Sequence, residues 1–422
     1  MSSRPRTHRL SNGLVVIADP MPGLRTLSVT LAAAGGARDE DEARSGWSHL
    51  LEHLVFKGAG DMGAREIVER IEAEGGSINA ATGHERTSFS VRALAGGLPL
   101  ALQVLSDLVF RPTLNEDEIV REKDVVAQEI AEAFDTPDDQ VFEMAQAKAF
   151  AGQSLGRPIL GSVESLAPAD RGGIDVWRRS LYAPNRMALC VSGAVDEQEL
   201  LQMAERWFGD QPASPALERA PATFEGGAAR LARSIEQANL VFTLPAPGHA
   251  DPDLPATRLF SEILGGGMAS RLFQEAREQR GLAYAIDSWF EAYADVGVLG
   301  VYAGSAAGKA REVAEVTAQV IRDMAGGVTD AELARAKVQL KAGHYIAEES
   351  PASRADRYAA QQLIYGGPVS TEDSVARLEA VTVGDLRRVA DRTLEARRSA
   401  SAVLGPRAAL PAAAAFDKAL FG

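Results

Sequence analysis

The chain is written twice, and that constrains its fold more than any other feature. Asn115-Glu116-Asp117-Glu118-Ile119 returns as Thr329-Asp330-Ala331-Glu332-Leu333, displaced by 214 positions, and each stretch pairs a helix-capping residue with an acid three positions on. Ser162-Val163 and Leu166 return as Ser374-Val375 and Leu378, and a strand closing at Gly193 returns as one closing at Gly405, displaced by 212. Two nearly equal offsets mean an internal duplication with copies of about 210 residues. At 422 residues the chain is too long for one core. The repeat predicts a domain over 1–215, a linker over 216–230 rich in Pro, Ser and Gly around it, and a homologous domain over 231–422.

Each copy reads as a strand pair (14–19 with 27–33; 231–235 with 240–244) and a first helix near Gly46 or Leu254. Further strands follow (78–81 and 87–94; 284–293 and 297–303), then two long amphipathic helices, a closing helix and a final strand. Hairpin strands with clustered helices predict an α+β class, each domain an antiparallel sheet with helices packed on one face.

His49-Leu50-Leu51-Glu52-His53 carries the chemistry. At about 100° per residue His53 sits roughly 40° round from His49 and Glu52 about 60° the other way, so all three converge on one side of a helical turn. Two neutral imidazoles suit a divalent transition metal, above all zinc, and a carboxylate beside them is placed to handle the proton of an attacking water. The order HxxEH is the reverse of HExxH and occurs among catalytic zinc motifs. At the 214 offset these residues map onto Ile263-Leu264-Gly265-Gly266-Gly267, which offer no ligand. One metal per chain, held by the first copy, is expected.

A catalytic zinc ion takes three protein ligands. The helix around Arg121 to Ile130 offers Glu122 and Glu129, seven apart and so on one face two turns from each other. Spacing alone leaves open which ligates and which stands behind.

The balance of 44 basic against 58 acidic residues, net −14, argues against nucleic acid or an anionic membrane as the main partner. Cys190 is the only cysteine, which excludes an intramolecular disulfide, and its apolar neighbours predict a buried strand. The start, Met1-Ser2-Ser3-Arg4, runs into a turn signal at Asn12-Gly13 without an apolar stretch. No apolar run approaches the roughly 18 to 20 residues of a membrane span. A cytoplasmic address is expected. His8, His249 and His344 lack companions at ligand spacing and read as surface or packing residues, and His84 reads as a turn or strand-edge residue.

His49, Glu52, His53 and Glu129, with Glu122 a heptad before it, resemble the pitrilysin-type zinc metallopeptidases, within them the branch of mitochondrial processing peptidase and its bacterial relatives. Phe56-Lys57-Gly58, Gly75-Gly76-Ser77-Ile78-Asn79-Ala80, Leu155-Gly156-Arg157-Pro158-Ile159-Leu160-Gly161 and Tyr182-Ala183-Pro184-Asn185 extend the resemblance over essentially the whole chain. The resemblance implies a zinc endopeptidase in which Glu129, 76 residues beyond His53, is the third ligand, Glu122 supports it and Glu52 is the general base. It further implies that Asn79 and Ala80 lie on an edge strand to which extended peptide adds, and that Arg277 and Tyr284 of the second copy hold the substrate backbone and the developing oxyanion. Relatives of this length pair two chains around a chamber. A homodimer is expected because both sets of residues are in one chain, a heterodimer with a homologous subunit being the alternative. The same resemblance leaves two other readings: an inactive assembly subunit like those of respiratory complexes, and a presequence-processing peptidase.

Overall fold

A computed structural model describes residues 5–215 and 217–422. Met1 to Arg4, the basic start, and Ala216, the first residue of the expected linker, lie outside them. The chain forms two compact units. The first comprises Met1–Ile130, Pro158–Arg219 and Tyr345–Thr371, and the second Ala131–Arg157, Ala220–His344 and Glu372–Gly422. The contiguous domains 1–215 and 231–422 are thus corrected: each unit takes one segment from the other half of the chain.

In the first unit, strands β1 (Arg6–Arg9), β2 (Val15–Pro20), β3 (Thr26–Ala33), β6 (Ser77–Thr82), β7 (Thr87–Leu94) and β8 (Met187–Gly193) form a sheet in the order β1-β2-β8-β3-β7-β6. A small separate hairpin joins β4 (Gly58–Ala59) to β5 (Met62–Gly63). In the second unit, β9 (Gly227–Ala232), β10 (Gln237–Ala246), β11 (Ala283–Ala292), β12 (Gly297–Ala306) and β13 (Ala400–Gly405) are ordered β11-β12-β10-β13-β9. The α+β class holds, but the sheets are mixed, not antiparallel throughout. The closing strand of each copy inserts into the expected opening pair: β8 runs parallel to β2 and antiparallel to β3, and β13 parallel to β9 and antiparallel to β10. Strand β9 also begins at Gly227, inside the expected linker.

The physical reason lies in the strands themselves. Met187-Ala188-Leu189-Cys190-Val191 is apolar at every position and wholly buried, as is Val15-Val16-Ile17-Ala18. Such runs satisfy themselves only in mid-sheet with both faces covered. Val16, Ala18, Val29, Leu31, Leu189 and Val191 face one core with Leu50, Leu54, Leu102, Trp177 and Leu200. The alternate residues Val15, Ile17, Ala32, Ala188 and Cys190 pack against Ala355, Tyr358 and Ala359 of helix Pro351–Tyr365. In the second unit Val241, Ala402 and Leu404 likewise meet Val141 and Ala145 of helix Pro137–Ala149. Helices on one face only is therefore also corrected, and the covering helices are the two exchanged segments. A buried ion pair fastens the first of them, Arg354 giving hydrogen bonds of 2.7 and 2.5 Å to the carboxylate of Asp19. Among the described residues no helix is long and apolar enough to cross a membrane.

Candidate metal centre

Helix Trp47–Val55 turns Leu50, Leu51, Leu54 and Val55 into the core, which leaves His49, Glu52 and His53 together on the half-buried side. Its start is fixed from three directions. The buried carboxylate of Glu40 accepts hydrogen bonds from Gly46 N–H (2.8 Å) and Ser48 N–H (2.7 Å), placing negative charge at the positive end of the helix dipole. Gly46 has φ 89°, and a Cβ there would stand 2.4 Å from the Leu160 carbonyl oxygen, so only glycine allows the two backbones to meet. Trp47 Nε1 donates to the Ser165 carbonyl at 2.9 Å, and Trp177 Nε1 to Ser48 Oγ at 3.2 Å.

Helix Glu116–Asp135, started by the Asn115 side chain accepting from Asp117 N–H, buries Ile119, Glu122 and Val126. The i, i+7 spacing then presents Glu129 to the histidines. His49 Nε2 lies 3.8 Å from Glu129 Oε2, and His53 Nε2 lies 3.7 Å from Glu129 Oε1. One ligand atom from each of the three residues falls within 4.8 Å of the others. Ligand atoms about 2.0–2.2 Å from a tetrahedral zinc ion stand roughly 3.3–3.6 Å apart, so the donor set fits such an ion with little adjustment. Glu129 Oε2 is buried without a hydrogen-bond partner, a state that costs about 1–3 kcal/mol or more for a charged group and that a cation would relieve.

Behind the histidines, His53 Nδ1 donates to Glu122 Oε2 at 3.1 Å, which turns Nε2 toward Glu129. Burial, with a smaller contribution from the neighbouring His53, lowers His49 from the ordinary imidazole value to about 4. His49 is therefore neutral, the form that ligates a metal. Burial also raises Glu52, partly offset by Thr82 and His53, while the charge of Glu129 adds to the rise. A carboxylate pushed upward is better matched to accepting and returning a proton near neutrality.

Asn79 and Ala80 sit on β6, the terminal strand of the first sheet, paired among the described residues on one side only, with Ser90 and Phe89 of β7. Asn79 is exposed and Ala80 half-buried. Arg277 and Tyr284 belong to the second unit. Arg277 lies on Phe273–Gln279, a wide-turned π-helical stretch, and its guanidinium lies 4.7 Å from the centre of the Phe273 ring. Tyr284 is the extra residue of a β-bulge, unpaired between Ala283↔Ser305 and Ala285↔Gly304, and is 63% exposed. His84 is half-buried, and desolvation together with the charge of Arg38 lowers it to about 4. The sequence reading missed Glu40, whose acidic neighbours Asp39 and Asp41 give it no distinguishing signal, and gave no role to Lys57, which contacts Glu122. The Gly46–Leu160 approach was foreshadowed only by the stretch Leu155 to Gly161.

Residues 15–163 match a family model described as insulinase (peptidase family M16), and residues 175–340 match one described as peptidase M16 inactive domain. A Mycobacterium tuberculosis protein named an uncharacterized zinc protease is 35% identical over 409 residues, spanning 95% of this chain and 93% of its own length. The chain belongs to peptidase family M16. A Bacillus subtilis protein, also named an uncharacterized zinc protease, is similar to this M16 chain at 30% identity over 96% of it and 99% of the relative. Among solved structures, a protease from Helicobacter pylori has the same fold, with a TM-score of 0.89 at 22% identity over 96% of this chain and 100% of that one. A Pseudomonas fluorescens structure described as a peptidase M16 inactive domain gives 0.88 at 21% identity, covering 96% and 98%. His49, Glu52, His53, Glu122 and Glu129 of the M16 chain all fall within the 15–163 match, whereas Arg277 and Tyr284 fall within the other.

Proposed function

We propose that this M16 chain is a zinc-dependent endopeptidase that hydrolyses unfolded peptides. The observation that carries the reading is the convergence of His49, His53 and Glu129 with Glu52 on the same helical turn. His49, His53 and Glu129 would hold one zinc ion, which when bound acts as a Lewis acid and lowers the pKa of water. Glu52 takes the proton of the water attacking the scissile carbonyl and returns it to the leaving amine. Asn79 and Ala80 on the open edge of β6 receive the peptide as an added strand, through backbone hydrogen bonds that tolerate varied sequences. Arg277 and Tyr284, a cation and a phenol donor, steady the substrate backbone and the oxyanion. The working form is a homodimer enclosing the peptide, and its address is the cytoplasm. The carriage of both residue sets in one chain supports the homodimer over a pairing with a homologous subunit. General peptide degradation is favoured over presequence processing.

An inactive assembly subunit is the second reading, prompted by the inactive-domain match over 175–340. That match lies outside the ligand set, which favours activity. The test is metal analysis of the purified protein with a fluorogenic peptide assay, with and without chelator. Zinc near one per chain, turnover lost to chelator and restored by zinc, and a Glu52→Gln protein that keeps zinc but is roughly 10²- to 10⁴-fold slower are expected. Peptide turnover unchanged in Glu52→Gln, or a metal content near zero after zinc dialysis, overturns the reading.

A further inference from the structure

The carboxylate behind His53 is itself held. Glu122 has a side chain only 4% exposed, and its two oxygens are divided between two partners: Oε2 accepts from His53 Nδ1 at 3.1 Å, and Oε1 accepts from Lys57 Nζ at 2.8 Å. Lys57 follows His53 by four positions, as His53 follows His49, so the three project along one stripe of the same helix and its exit. The backbone fixes that placement, because Phe56 N–H bonds to the His53 carbonyl (3.2 Å) and Lys57 N–H to that of Leu54 (3.1 Å). Gly58, next in the chain, has φ 143° and is pressed against Thr113, a Cβ there standing 2.8 Å from Thr113 Oγ1. The lysine therefore leaves the helix in one direction, toward Glu122.

We infer that Lys57 is a positioning residue for the metal centre, acting through Glu122 to fix the orientation of the His53 imidazole. A carboxylate with one oxygen unclaimed can rotate about its last torsion and present either oxygen, or neither squarely, to Nδ1. An ammonium on Oε1 removes that freedom. Oε2 then stays in line with Nδ1–H, and Nε2 stays directed at Glu129. The Lys57 side chain is 33% exposed, so the link ends at the protein surface. This inference rests on the metal reading above.

The test measures zinc affinity of the full-length apoprotein by competition with a chromogenic chelator, for wild type, Lys57→Met, Lys57→Arg, Glu122→Gln and the double variant Lys57→Met/Glu122→Gln. Thermal melts of each apoprotein confirm folding, and Lys57→Gln replaces Lys57→Met if that protein melts early. Loss of a group supporting a metal-ligating histidine weakens binding by about 10- to 100-fold, which is the expectation for Glu122→Gln. Lys57→Met, one bond further out, should weaken it by roughly 3- to 10-fold. Lys57→Arg should bind within about 2-fold of wild type, and the double variant should be no weaker than Glu122→Gln alone, since on this assignment Lys57 acts on the metal through Glu122. Wild-type affinity in Lys57→Met, or in Lys57→Gln where that variant replaces it, or a lysine effect that persists in full on the Glu122→Gln background, overturns the role of Lys57. Absence of zinc binding by wild type overturns the metal reading itself, and the inference with it.

Discussion

Replacing Arg354 by methionine tests how the exchanged helix is held. The guanidinium meets Asp19 at 2.7 and 2.5 Å, and the two side chains are 3% and 0% exposed. Methionine keeps much of the volume and the apolar stem, so what disappears is the charge partner of a carboxylate shut away from water. Leaving one member of such a pair uncompensated costs about 3–5 kcal/mol. The same helix offers its own control in Asp356, whose pair with Arg86 is 47% and 34% exposed. A pair so wet contributes about 0–1 kcal/mol. In a unit of about 200 residues each kcal/mol moves the midpoint by roughly 2–4 °C. Arg354→Met should therefore lower the melting of the first unit by roughly 6–20 °C, and Asp356→Ala by less than about 4 °C. Differential scanning calorimetry of the full chain reads both. Asp19→Asn should resemble Arg354→Met, and combining them should cost less than the sum. If Arg354→Met melts within about 2 °C of wild type, or if Asp356→Ala costs as much, the argument that burial decides between the two pairs fails.

Three further outcomes are expected. His84 is lowered to about 4 against an unfolded value near 6.5, so between those values the unfolded chain binds the extra proton. The stability tied to its neutral form is full above about pH 6.5 and is lost as pH falls toward 4, by up to about 3 kcal/mol. Urea unfolding at pH 7 and pH 5 should show this slope in wild type and a flatter one in His84→Asn; equal slopes would remove His84 from the account. Gly46→Ala forces a β-carbon against the Leu160 carbonyl at a φ of 89° and should cost roughly 1–3 kcal/mol while loosening zinc. Gly267→Ala, with open space around it, should leave melting temperature and zinc affinity unchanged.

The candidate site was more legible in the sequence than the sheets that carry it. The convergence of His49, Glu52 and His53 follows from helical periodicity, and a period of seven along a second helix puts Glu122 and Glu129 on one face. Sequence could also place β6 and β7, because their hairpin is local and their residues alternate. It could not place β8 between β2 and β3, since a short connection between two strands reads as a hairpin whether or not a third strand later enters. The signal was present in another form: Val15-Val16-Ile17-Ala18 and Met187 to Val191 are apolar on both faces, which demands a second cover. Nothing local says that the cover is helix Pro351–Tyr365. The bulge at Tyr284 was equally hidden, because it is a mismatch in register with β12 and not a property of β11 alone.

The sequence by itself determined that the chain is a duplication, that one copy carries two imidazoles and a carboxylate on one helical turn, and which two glutamates could complete them. These are matters of identity and short-range period, fixed by 3.6 residues per turn whatever the rest of the chain does. Tertiary structure alone decided that Glu129 reaches the histidines while Glu122 is shared by His53 and Lys57, and that each unit borrows a helix from the other half. Those outcomes depend on contacts such as Asp19 with Arg354, 335 positions apart. Such contacts form only where apolar strands find cover on both faces, a condition no stretch of sequence meets alone.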